Sequence, residues 1–119
     1  MLSVGIKGPL NTADDLAFAR EHGVTMLTYG QWRRDRQEGA GEVEMFVREL
    51  NGEDAYLSFD IDCVDPAFAP GTGTPSVGGF TSAEALELLR SLRGANIVGA
   101  DIVEVLPDRD VAGITSLLA

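Results

Sequence analysis

The stretch SFDIDCVDPAFAPGTGTP, residues 58–75, carries Asp60, Asp62 and Asp65 at the end of a run that otherwise reads as a buried strand. A buried carboxylate must be neutralised or paired, so three in so short a span need a chemical reason. With the two-residue period of a strand, Ser58, Asp60 and Asp62 project from one face at its carboxyl end. In open α/β sheets that end is where ligands bind. Neighbouring carboxylates repel, and either share a proton or hold a cation between them. Oxygen donors alone suit Mg²⁺, Ca²⁺ or Mn²⁺ better than Zn²⁺.

A turn cap is the structural alternative for any one of these aspartates, and Asp65 before Pro66 is the one it fits best. The D-x-D pair is also found in sugar-nucleotide transferases and in phosphatases of the haloacid dehalogenase type. A second acidic pair lies in GADIVEV, where Asp101 and Glu104 are three positions apart and cannot share one face of a regular strand. One of them must point elsewhere or lie beyond the strand. A carboxylate at that rim can take a guanidinium in a two-pronged pair, or can be tied to Arg90 or Arg109.

The elements that must position these groups alternate along the chain. LSVGIKG reads as a first strand, followed by a helix in NTADDLAFAREHG with Asn11 or Thr12 as N-cap and Gly23 as its stop. VTMLTY is a second strand. After the polar segment GQWRRDRQEGAG, a helix in EVEMFVREL brings Val43, Phe46, Val47 and Leu50 to one face. AYLSFDID is the third strand, and a Pro/Gly loop follows it. TSAEALELLRSLRG is a helix with Thr81 or Ser82 as N-cap, Glu84 as capping-box partner and Gly94 as stop. NIVGADIVEVLP is the fourth strand, and DVAGITSLLA opens a last helix. This alternation predicts βαβ units, a parallel sheet and helices on both its faces.

With 119 residues and 45% hydrophobic content, the chain is sized for one globular domain with a core. Its net charge of −10 argues against nucleic acid or an anionic membrane as partner. Cys63 is the only cysteine and His22 the only histidine, so neither an internal disulfide nor a Cys/His zinc site can form within the chain. Cys63 reads as a buried filler. His22, in the last turn of its helix, reads as a partner of the helix dipole. The start resembles no signal peptide and no apolar run approaches the ~20 residues of a membrane span, so a cytoplasmic location is expected. Trp32 and Tyr29 read as packing residues, and the Gly-rich loop lacks the G-x-x-x-x-G-K-[ST] phosphate motif. The first strand begins almost at Met1 and the last helix has barely begun at Ala119, so the chain reads as a piece of a larger domain.

SFDIDCVDPAFAPGTGTPSVGGFTSAEALELLR followed by VGADIVEVLPDRDVAGITSLLA resembles the ureohydrolases, the arginase and agmatinase family, and within it the agmatinase-like branch. The likeness runs from SVGIKG onward and is most specific in D-I-D-x-x-D-P-x-x-x-P-G-T-G-T-P. It implies a three-layer α/β/α fold with a parallel sheet, of which residues 1–119 would be the carboxyl-terminal part of one domain. It further implies two Mn²⁺ ions that activate a hydroxide toward the guanidino carbon of an agmatine-like substrate, releasing urea. By resemblance Asp60 bridges both metals, Asp62 binds one of them, Glu104 recognises the guanidinium and Asp101 belongs to the supporting shell.

The family's G-G-D-H and D-A-H-x-D segments and a proton-shuttling histidine have no counterpart here. Two carboxylates alone hold a divalent ion weakly, so the isolated chain is expected to be a poor enzyme. Lys7 replaces the usual arginine of G-I-R-G, and Ser76 a common glutamate after G-T-P. The expected partners are a small guanidino substrate and either an amino-terminal half or further copies of the chain. The competing expectation is a non-catalytic remnant that serves as a partner-binding or oligomerisation module.

Overall fold

The computed structural model describes residues 1–119 except Leu10, Asn11 and Ala13, so of the N-caps expected at Asn11 or Thr12 the first lies outside the described residues. Two βαβ units make up most of the chain. The first runs β1 (Leu2–Ile6), α1 (Asp14–Glu21) and β2 (Thr25–Thr28); after α2 (Tyr29–Arg34) and α3 (Arg36–Glu49), the second runs β3 (Asp54–Asp60), α4 (Ser82–Ser91) and β4 (Asn96–Val103). A short α5 (Ile114–Leu118) follows. Both strand pairs are parallel, with Val4 opposite Leu27 and Asp60 opposite Val103. Among the described residues they form two separate two-stranded sheets, not the single sheet expected.

Phe80 joins the two units. It is fully buried and meets the rings of Tyr29 and Trp32 edge-on, at centroid distances of 5.0 and 5.6 Å. Gly5 makes this possible, because its φ of +88° suits glycine and a Cβ there would sit 2.4 Å from the Phe80 ring. Leu27, Val43, Ile61, Val64 and Leu88 complete the core around this ring. Arg36 pairs with the buried Glu84, tying α3 to α4.

Caps explain why the helices start where they do. Thr81 and Glu84 form the expected capping box, and Thr28 with Gln31 forms another at α2. The polar segment before EVEMFVREL is itself helical, contrary to expectation. Asp35 ends α2 and caps α3, and Gly39 is required inside α3 because a Cβ there would lie 2.9 Å from the Trp32 ring. Gly23 closes the turn after α1 with φ +66°, and His22 beside it contacts the Phe18 carbonyl through Nδ1 at 2.9 Å, as its place at a helix end suggested. No helix among the described residues is long and apolar enough to cross a membrane.

Candidate metal centre

The third strand ends two residues earlier than its alternation suggested. Asp60 is the last residue of β3, and Asp62 lies in a 3₁₀ turn over Ile61–Cys63. The two carboxylates are therefore not placed by strand period. They are related by a cap, in which the Asp62 backbone N–H donates to Asp60 Oδ1 at 2.9 Å. Partial desolvation, joined by repulsion from Asp62, raises the Asp60 carboxyl above its ordinary pKa against the opposing pull of that N–H and of Lys7.

Asp62 is oriented from the Gly/Pro loop. The Thr72 hydroxyl donates to its Oδ1 and the Thr74 hydroxyl to its Oδ2. Thr72 is only 1% exposed, so its hydroxyl needs the partner it finds there. The loop is held in turn by its surroundings: Leu106 N–H donates to Gly71 O at 2.8 Å and Gly71 N–H to the Thr115 hydroxyl at 2.7 Å. Sequence reasoning passed over both threonines. Their signal was two hydroxyls at alternate positions in a loop that follows an acidic strand end.

Glu104 lies just past β4 in a left-handed conformation, φ +64°, which a non-glycine residue adopts at a cost of about 1–3 kcal/mol. This turn resolves the spacing problem with Asp101 by taking Glu104 off the strand. Its Oε2 comes within 3.5 Å of the position a Cβ would take at Gly73, so the carboxylate meets the loop between Thr72 and Thr74. Asp101 stays on β4 opposite Ser58. The Tyr56 hydroxyl donates to its Oδ2 at 2.9 Å, while its Oδ1 is buried with no partner among the described residues. The arginine pairings considered for these acids are not seen among the described residues; Arg109 instead donates to Gly73 O at 3.2 Å.

Asp65 is a turn residue, accepting from the backbone N–H groups of Ala67 at 2.9 Å and Gly78 at 2.7 Å, which depress its pKa. Burial pushes the Cys63 thiol up to about 12, which makes it inert packing. Lys7 reaches the cluster from the end of β1. Its stem crosses Gly79, where a Cβ would be 2.6 Å from Cε, and its Nζ donates to Ser76 O. Burial lowers the Lys7 pKa and the nearby aspartates oppose that, yet none of them forms a salt bridge with it among the described residues.

Hard oxygen donors in a mutually repelling carboxylate pair suit a divalent cation such as Mn²⁺. They fit it as part of a shell, since no group of three or more His, Cys, Asp or Glu side chains able to hold a metal occurs among the described residues.

The Arginase family model matches residues 1–119. Guanidinopropionase of Pseudomonas aeruginosa is 44% identical over 117 residues, covering 98% of this chain and 36% of that protein. Agmatinase of an Enterobacter species is 50% identical over 103 residues, covering 86% of this chain and 33% of the relative. The solved structure of proclavaminate amidino hydrolase from Streptomyces clavuligerus superposes with a TM-score of 0.83 at 44% identity, over 99% of this chain and 37% of that one. The chain thus spans about a third of the length of the relatives it matches. An arginase-like α/β fold, the D-I-D turn with its threonine-bearing loop and a family match along all 119 residues agree: the chain belongs to the arginase family, the ureohydrolases.

Proposed function

We propose that this chain supplies the carboxylate side of the centre of a manganese-dependent hydrolase that releases urea from an agmatine-like guanidino compound. In this reading residues 1–119 are the carboxyl-terminal part of one ureohydrolase domain. The remaining metal ligands come from an amino-terminal half that carries the histidines absent from this chain. The observation that carries it is the Asp62 carboxylate held at both oxygens by Thr72 and Thr74, beside Asp60 and with Glu104 turned toward the same loop.

Asp60 and Asp62 would hold the metal, which when bound supplies Lewis acidity and lowers the pKa of water. The threonine hydroxyls keep Asp62 from rotating away between turnovers, as outer partners of a metal ligand do. Glu104 accepts N–H donors from the planar guanidinium and orients it. Asp101, anchored by Tyr56, keeps a buried oxygen ready for a donor from outside the described residues.

A second reading, a non-catalytic association module, is favoured by apolar side chains left open on the second unit, with Tyr56 65% and Val98 62% exposed. Mixing the chain with the amino-terminal portion of a relative, adding Mn²⁺ and assaying urea from agmatine separates the two. Urea formation that disappears with Asp62→Ala supports the hydrolase. Oligomers that form without manganese binding or urea support the module.

A further inference from the structure

The two hydroxyls that hold Asp62 are themselves held in different ways. Thr72 belongs to the core: it is buried, bridges to Val105, and follows Gly71, which is bonded to Leu106 and Thr115. Thr74 is exposed, as are Gly73, Pro75 and Val77, so packing does little to fix this arm of the loop. Its far end is tied down at Gly78 and Gly79, whose N–H groups donate to Asp65 Oδ2 at 2.7 and 3.3 Å. Short of that anchor, among the described residues, the backbone of residues 74–77 has a single hydrogen-bond partner, the Lys7 ammonium on Ser76 O. Lys7 follows directly on β1, and the next turn fits the loop closely: Gly8 has φ +75°, and a Cβ there would lie 2.9 Å from Ser76 Oγ. The first βαβ unit thus holds a loop of the second at the residue two positions beyond Thr74.

We infer that Lys7 is a positioning residue of the metal centre: by gripping the Ser76 carbonyl it holds Thr74 on Asp62 and so fixes the direction in which that carboxylate offers its oxygens. This deepens the proposed function and rests on it only for the identity of the ion. Lysine also exerts an effect of opposite sign. Its charge acts on Asp60 and Asp62 through space and opposes a cation there. Removing the charge alone therefore favours manganese binding, whereas removing the clamp disfavours it. The charge acts whatever stands at position 74, but the clamp acts only through the Thr74 hydroxyl, so a double-variant cycle separates the two.

The test compares the unsubstituted chain with Lys7→Met, Lys7→Arg, Thr74→Val and the Lys7→Met, Thr74→Val double variant. Methionine keeps an unbranched stem over Gly79 and removes the ammonium, while arginine keeps a cationic donor. Backbone order parameters from ¹⁵N relaxation are measured first, without metal. Lys7→Met should lower those of Thr74, Ser76 and Val77 from about 0.85 toward about 0.6 and leave Phe59 and Ile61 unchanged, and Lys7→Arg should keep all of them high. Manganese affinity is then read from the free-ion electron paramagnetic resonance signal. Lys7→Met should weaken binding at least fivefold more in the unsubstituted chain than in the Thr74→Val background. Unchanged order parameters at Thr74, Ser76 and Val77 in Lys7→Met, or the same change in affinity in both backgrounds, overturn the inference. If the order parameters fall as expected but no manganese binds, alone or with the amino-terminal portion of a relative, the clamp stands and the manganese reading fails.

Discussion

Thr72, ten positions beyond Asp62 and almost wholly buried, turns its hydroxyl onto the Asp62 carboxylate, so the loop after β3 folds back on the turn that ends the same strand. The aspartate is thereby fixed by contacts made within this chain. Preorganisation of this kind is what a metal ligand requires of its outer partners.

Replacing Thr72 with valine keeps the side chain's shape and removes the donor. Manganese affinity, read from the free-ion electron paramagnetic resonance signal, should fall by roughly 10–100-fold. Thr72→Ser should restore most of it. Equal affinity in the valine variant would show that the hydroxyl does not orient the ligand.

Asp60 behaves in the opposite way to a typical stabilising carboxylate. Its folded-state pKa is raised from 3.8, so its ionised form costs stability at neutral pH and its protonated form is favoured as pH falls. Asp60→Asn should therefore raise the melting temperature of the metal-free chain at pH 7. On the proposed reading manganese raises the melting temperature of the unsubstituted chain, and the same change should remove that rise. A drop in melting temperature would contradict this account.

Asp110 gives the complementary case. Partial desolvation acts to raise its pKa, but the N–H groups of Ser116 and Thr115, with their hydroxyls, outweigh it and hold the value at about 2. Its contribution to stability is therefore present above the ordinary 3.8 and is lost as pH falls toward about 2. Asp110→Asn should fray α5 and flatten the pH dependence of amide exchange there across that window. An unchanged profile would exclude these hydrogen bonds as its source.

Phe80 is the hinge of packing between the two βαβ units. Truncation to alanine should cost about 3–5 kcal/mol in denaturant unfolding. Gly5→Ala should also destabilise, since it combines a positive φ with a Cβ in the space of the Phe80 ring. A double variant that loses less than the sum of the two would report that both changes act at one contact.

Much of this chain was legible as local chemistry. The Thr81 and Glu84 capping box, the Gly23 stop, the existence of the four strands and the turn-capping character of Asp65 depend on residues close in sequence. The helices across residues 29–41 were not legible, because three glycines and the lack of an apolar stripe mask their helix-favouring Arg, Gln and Glu residues, and Trp32 lying against Gly39 stabilises them. The pairing of the strands into two separate sheets was equally invisible, since periodicity carries no information about which edges meet.

By itself the sequence determined which groups could do chemistry here: oxygen donors at a strand end, with no cysteine or histidine set able to compete for the ion. Only the tertiary structure decided how those groups are held. The threonines reach Asp62 across a loop, Lys7 arrives from another sheet, and Glu104 leaves its strand through a left-handed residue. The reason is physical: a side chain's type fixes its charge and donor capacity, whereas its orientation depends on contacts made by residues far away in the chain, and those form only when the whole core packs.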